Sequence, residues 1–273
     1  MIGGMKMNID IPVQRWHQAI SNRHSQRKYL NQILPKKEIE ELHEFVEKLN
    51  KGVTGVRAVF KKEAPDDIFQ GIIGSYGKIS GAPSYVAFLG EEKVENTNEK
   101  IGYLGEAFIL EATSRDLGTC WIGGFFDENK AREDLNIKNS EKIYALSPVG
   151  FPDKSFSLSN KLLKAVVRSH KRKPLDKLCK KRYNENIEQW KRSALKSARL
   201  APSAINRQPW RFELGNDSIK VYKDNNKSKT DISKNLDCGI AMLHLEVGAK
   251  FAGVKGRWSF LEQDPYVAEF RAL

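Results

Sequence analysis

Apolar and polar positions mark out most of the elements along the chain. In PKKEIEELHEFVEKLNKG, Ile39, Leu42, Phe45, Val46 and Leu49 recur at helical intervals after Pro35, acids come early, and Gly52 stands where the repeat stops. This spacing predicts a helix with one apolar stripe. A shorter helix is expected over Ile11 to Ile20, followed by a polar corner, SNRHSQRKY. GVRAVFKK and PSYVAFLGE are short, β-branched and aromatic, which predicts strands. The apolar positions of KIGYLGEAFILEATSRDLG nearly encircle a helix, so it is expected in a core, closed by Gly118. TCWIGGFF, a short charged helix near DENKAREDLNI and a strand at KIYALSPVGFP follow.

The pattern then starts again. ENIEQWKRSALKSARL predicts a helix, PWRFELGNDSIKVYKDN a hairpin, and DCGIAMLHLEVGAKFAGV a second core helix. Laid over one another, the two core helices pair Leu110 with Leu245, Glu111 with Glu246 and Gly118 with Gly253. A diverged internal duplication explains the order; a chance alignment of two apolar helices is the alternative. The expected class is α+β, with antiparallel-rich sheets flanked by helices and two diverged halves in one chain. One unit over residues 11–273 would comprise a first half at about 11–168, a basic connector at about 169–183 and a second half at about 184–273.

Composition narrows the class of function. The 273 residues include 40% hydrophobic and 29% charged, an ordinary globular balance. Cys120, Cys179 and Cys238 lie far apart, which argues against a disulfide framework or a zinc knuckle. No signal-peptide core or membrane-length apolar run is seen, so a cytoplasmic protein that does not enter membranes is expected. The net charge of +12 favours polyanions, and much of it lies in SHKRKPLDKLCKKRY. No zinc-finger spacing or RNA-recognition pattern gives that charge a nucleic-acid geometry. GIIGSYGK has its glycine one position away from that of a phosphate-binding loop, and GYLGEA lacks the third glycine of a dinucleotide fingerprint. His17, His24, His43, His170 and His244 show no metal-ligand spacing, and no metal is expected.

Four segments carry chemistry. In RHSQR, Arg23, Ser25 and Arg27 alternate, which in an extended segment puts them on one side. Two guanidiniums and a hydroxyl there suit a phosphate monoester; a solvated turn is the plainer reading. In PSAINRQPW, prolines restrict the backbone while Ser203, Asn206 and Gln208 offer donors and acceptors to a planar heterocycle; helix capping is the alternative. In LGTCWIGGFF, Gly123 and Gly124 would admit a ligand close to the backbone. HKRKPL adds Arg172 as a further phosphate contact.

Together these segments resemble the FMN-dependent nitroreductase family. The match runs through R-x-S-x-R, L-G-x-x-W-I-G-G, G-x-P, R-K-P-L and A-P-S-x-x-N-x-Q-P-W, across most of Val13 to Gly256. It departs in order. Ordinary members place the serine–asparagine segment before the core helix, whereas here it lies at residues 201–210 and NKGVTGVRAVF has none. The resemblance implies a nitroreductase-like fold and a dimer fused into one chain, a monomer acting as a pseudo-dimer. It also implies that Arg23, Ser25, Arg27 and Arg172 hold the FMN phosphate, with His24 in the same segment. Pro202, Ser203, Ala204 and Asn206 would line the isoalloxazine from the other half. Gly123 or Gly124, beside Trp121 and Ile122, would point an N–H at N5, and Lys78 would meet the pyrimidine edge.

The implied activity passes hydride from NAD(P)H through flavin N5 to a nitroaromatic, quinone or similar small oxidant, with no catalytic side chain assigned. A non-catalytic FMN carrier or sensor is the alternative, and a basic nucleic-acid-binding protein a more distant one. One FMN per chain is expected. The symmetry-related pocket would lack its arginine triad in KKRYNENIEQW, its Gly-Gly in GVKGRWSF and its polar loop, with Trp258 filling the vacated slot.

Overall fold

Two four-stranded antiparallel sheets repeat one strand order. The computed structural model describes residues 7–65, 67–69, 78–153, 171–180, 186–228 and 230–273. The first sheet comprises β1 (Val56–Lys61), β2 (Ser84–Glu91), β3 (Gly118–Thr119) and β4 (Glu141–Gly150), ordered β1-β2-β4-β3. The second comprises β5 (Trp210–Leu214), β6 (Ser218–Lys223), β7 (Gly256–Phe260) and β8 (Tyr266–Ala272), ordered β5-β6-β8-β7. Each has a register shift in its central pair, at Phe88/Leu89 and at Val221/Tyr222.

The helices are α1 (Val13–Asn22), α2 (Lys36–Gly52), α3 (Thr97–Ser114), α4 (Glu128–Leu135), α5 (Leu175–Leu178), α6 (Gln189–Arg199) and α7 (Lys234–Phe251). The core helices α3 and α7 each connect the second and third strands of a sheet. The α+β class with antiparallel sheets expected from the sequence is therefore present, with one strand order repeated in the two sheets.

The compact units are not contiguous in sequence. One takes Met1–Ile9, Asn22–Thr97 and Ala107–His170; the other takes Asp10–Ser21, Asn98–Glu106 and Lys171–Leu273. Thus α1 and the first half of α3 group with the second sheet, where His17 stacks on Phe251 at 3.6 Å between centroids. Of the basic connector, residues 169–170 and 181–183 lie outside the described residues; within the rest, Cys179 bridges Phe212 beside β5.

Two readings of the core helices need correction. First, α3 ends at Ser114, and Asp116, at φ 59°, is the left-handed residue after it; Gly118 lies in β3. Second, the alignment is set by glycine contact rather than by Glu111 and Glu246. A Cβ built on Gly102 would collide with the Leu236 carbonyl oxygen and lie 2.9 Å from the Ile240 nitrogen. One on Gly239 would collide with the Glu99 carbonyl oxygen and lie 2.8 Å from the Glu99 carbonyl carbon. Gly239 and Leu236 each stand 137 positions after Gly102 and Glu99, so the contact is reciprocal, as at a two-fold interface. This contact sets the helices two residues out of the register that hydrophobicity suggested.

No helix of the described residues is long and apolar enough to cross a membrane. Backbone cannot yield at the crossing as a flexible side chain could. Gly102→Ala and Gly239→Ala are therefore each expected to lower unfolding free energy by about 3 kcal/mol, the upper range of overpacking. Gly124→Ala, whose Cβ would meet nothing within 4 Å, serves as control and should change stability by less than about 0.5 kcal/mol. Urea denaturation of the three variants checks this.

Candidate ligand-binding site

After α1 the chain runs extended beside β3. Ser25 forms a parallel bridge with Thr119, and the Gln26 N–H donates to the Thr119 carbonyl at 2.8 Å. Gly118 permits this approach, since a Cβ there would lie 2.6 Å from Gln26 Cγ. Alternation then sorts the side chains. His24 is exposed and shares a 3.0 Å hydrogen bond with Gln26. Arg23 is 8% exposed, and Ser25 and Arg27 are half-buried.

Those three converge on Cys120. Burial pushes its thiol above the usual range, against the Arg27 charge, a hydrogen bond with Ser25 and the Arg23 charge. Cys120 itself is pinned by its N–H, which donates to Ser147 Oγ at 3.1 Å. Trp121 packs against Phe88 at 4.9 Å, and Ile122 exchanges both backbone hydrogen bonds with Leu146 of β4, at 2.9 and 2.8 Å.

The ladder stops there. Gly123–Phe126 bend away, and among the described residues no backbone carbonyl accepts from the Gly123 or Gly124 N–H. Space beside Gly124 is open, and Phe125 takes φ 62° with its ring 66% exposed. The first unit therefore juxtaposes a two-arginine, one-hydroxyl cluster with a backbone stretch that a ligand can approach. That set can clamp a phosphate through charge-assisted hydrogen bonds.

The second unit holds the other predicted segment. Beyond α6, Ser203 precedes a 3-10 turn at Ala204–Asn206 and accepts from the Gln208 N–H at 2.9 Å. Ile205, Asn206 and Gln208 have φ of 47°, 56° and 48°. Left-handed backbone in a β-branched residue is costly, and such strain persists where surrounding bonds over-determine the loop. Here they do. Asp237 of α7 accepts from Ala204 N at 3.1 Å and from Arg207 Nε at 2.6 Å. Arg207 also reaches Ser228, Thr230 and the Ile232 carbonyl.

Buried Gln208 accepts from Lys173 N at 2.8 Å and donates to the Lys171 carbonyl at 3.1 Å. Arg172, expected among the phosphate ligands, donates to Asn206 Oδ1 and to the Leu200 carbonyl, each at 3.2 Å. Pro202, Ser203, Ala204 and Asn206 are therefore gathered with Arg172, as Arg23, Ser25 and Arg27 are with the Trp121–Gly124 segment. Lys78 is exposed. Trp258 is half-buried on β7, donating to Glu246 at 2.9 Å and packing edge-on against Phe270. No metal-binding cluster occurs among the described residues.

Sequence reasoning missed Asp237, Arg207 and Cys120. Asp237 left one trace, a carboxylate inside an otherwise apolar helix. Burial outweighs Arg207 and the Ala204 N–H, and the carboxyl is pushed up to about 6 from 3.8. An acid whose folded value is raised adds stability that is fully present below 3.8 and is lost as pH rises through 6. Between pH 4 and pH 7 the wild type should therefore lose about 2 kcal/mol that Asp237→Asn does not lose. Denaturant unfolding of both proteins across that range measures this; a constant difference between them would contradict the assignment.

A family model described as "Putative TM nitroreductase" matches residues 16–249. Among solved structures, one described as a "putative nitroreductase" from Thermotoga maritima is similar over 98% of this chain and 99% of its own, with TM-score 0.61 and 19% identity. That likeness is one of fold. A nitroreductase family protein from Clostridium novyi NT is similar over 53% of this chain and 88% of its own, with TM-score 0.42 and 21% identity. An FMN-dependent nitroreductase from Clostridium difficile R20291 is similar over 52% and 90%, with TM-score 0.42 and 18% identity. No curated protein matches the chain.

Proposed function

The chain belongs to the TM nitroreductase family, a family of oxidoreductases, and on that premise we propose that it is FMN-dependent and passes hydride from NAD(P)H to a small oxidant such as a nitroaromatic or quinone. The observation that carries this reading is the alternation of Arg23, Ser25 and Arg27 on the segment that bridges Thr119, a few residues before the open space at Gly124. A terminal phosphate fits the first group and a flat ring close to backbone fits the second.

Bound FMN would supply hydride acceptance and release at N5, so no protein nucleophile is required. The protein's part is to hold and orient. Arg23 and Arg27 present forked donors to phosphate oxygens, and Ser25 adds a hydroxyl. Gly123 or Gly124, in the segment fixed by Trp121 and Ile122, would contribute a backbone N–H to bound flavin. Pro202, Ser203, Ala204 and Asn206 would give the isoalloxazine a stiff polar lining. Arg172 serves twice in this reading, ordering the loop through Asn206 and adding positive charge for the phosphate. His24, turned to the opposite side with Gln26, contributes to the segment's conformation. One chain with both halves would work as a monomer.

Arg23→Ala should weaken FMN binding by about 1.5–3 kcal/mol, the scale of hydrogen bonds to charged groups, or roughly 10- to 150-fold. Unchanged affinity would remove Arg23 from the site. Turnover is tested on FMN-loaded protein mixed anaerobically with NADH or NADPH, then with a quinone. The flavin's visible band should bleach with the first addition and return with the second. A band that never bleaches would favour the non-catalytic carrier.

A further inference from the structure

We propose that a cavity on the second sheet binds the phosphate monoester of a small molecule, at residues separate from all those assigned to the flavin. The cavity has a volume of about 400 Å³, and its lining includes Lys177, Lys180, Arg211, Tyr222, Lys223 and Asp224. That volume falls in the range of small-molecule pockets. Local pattern builds it. Trp210, Phe212 and Val221 are buried, so alternation turns Arg211 and Tyr222, register partners across β5 and β6, to the opposite face. The basic run then adds an edge beyond β5. Cys179 bridges Phe212, and the Lys180 N–H donates to the Phe212 carbonyl at 2.8 Å.

Charge in the cavity is unbalanced. Asp224 is the one acid in its lining, and that carboxylate already accepts from Arg211 at 3.0 Å and from Lys234 at 2.7 Å. Lys180 lies 3.5 Å from Glu213, which also accepts from the Tyr266 hydroxyl at 2.8 Å. Lys223 pairs at 2.6 Å with Asp264, whose side chain is 79% exposed, and solvent leaves such a pair little strength. Lys177 pairs with no acid among the described residues. Five cations, Lys234 among them, thus meet three carboxylates. Nearby Lys173 feels the excess, its ammonium pushed down by burial first and then by the Arg211 and Lys234 charges, against Asp224.

A phosphate monoester carries about −1.5 to −2 at neutral pH, which matches the excess. A carboxylate or phosphodiester, with one charge, would leave much of it uncompensated. The donors are also held ready. Arg211 donates to the Gln208 and Trp210 carbonyls at 3.1 and 2.7 Å and to Asp224, so two of its five N–H groups remain for a ligand. Lys180 Nζ lies 5.7 Å from the centroid of the Tyr222 ring, a cation–π distance that keeps it over the cavity.

The test titrates inorganic phosphate into the full chain by calorimetry, after loading with FMN and desalting, at about pH 8, where phosphate is mostly a dianion. Saturable binding is expected. Dimethyl phosphate, a monoanion standing in for a nucleic-acid backbone, should bind at least about tenfold more weakly. Lys177→Ala combined with Lys180→Ala should weaken phosphate about tenfold, the worth of one hydrogen bond to a charged group. Both lysines are exposed, so the fold should survive, and the single change Lys177→Glu should act in the same direction. Lys36→Ala combined with Lys37→Ala removes the same charge from exposed positions of α2 and should leave phosphate affinity unchanged.

No saturable binding, an equal loss in the α2 control, or dimethyl phosphate bound as tightly would each overturn the proposal. A loss in Arg23→Ala with none in the cavity variants would assign the phosphate to the flavin clamp and overturn it too. A chain that takes up no FMN can still be titrated, so the flavin reading and this one fail separately.

Discussion

Two helix backbones nearly touch where Gly102 faces Leu236 and Gly239 faces Glu99. With no side chain between them, α3 and α7 come close enough for buried polar groups to pair across the crossing. Asn235 donates to Glu99 at 2.6 Å, Tyr103 donates to Glu246 at 2.6 Å, and His244 shares a 2.8 Å hydrogen bond with Glu106. Each pair satisfies groups that would otherwise be costly to bury. The polar pairs do not repeat by the offset that relates the glycines. Backbone approach is two-fold in character while the polar side chains around it are not.

The crossing also fixes the polar loop. Asp237 lies next to Leu236, and its carboxylate holds Ala204 and Arg207, so the register of α7 decides where the strained turn sits. In the first unit the equivalent control is exercised by β3, which brings the Arg23–Arg27 segment against Cys120. Different devices thus order the two predicted segments, a buried carboxylate for one and a sheet edge for the other. Both place flexible polar side chains on rigid elements, which a site for a phosphate-bearing ring requires.

Much of this was legible in sequence because it depends on local pattern. Ile39, Leu42, Val46 and Leu49 announced α2, and PSYVAFLGE announced β2. The alternation of Arg23, Ser25 and Arg27 was readable as one face. What was lost depends on tertiary contact. The apolar positions of α3 and α7 nearly encircle them, so hydrophobicity could not set their relative register; only the glycine contact does. The strands in GRWSF and YVAEFRA were missed, since their apolar and polar residues alternate only in part. The motif offered Arg172 as a phosphate ligand, and its added hydrogen bonds to Asn206 and Leu200 come from chain folding that no motif spacing encodes.

The central claim is that this chain is a flavoprotein built for a terminal phosphate, with a single working site. Heating saturated, desalted protein and identifying the released cofactor against FMN and FAD standards, with its amount measured per chain, addresses that claim directly. The account predicts FMN, close to one per chain. Release of FAD, a colourless protein, or a ratio near two would contradict it.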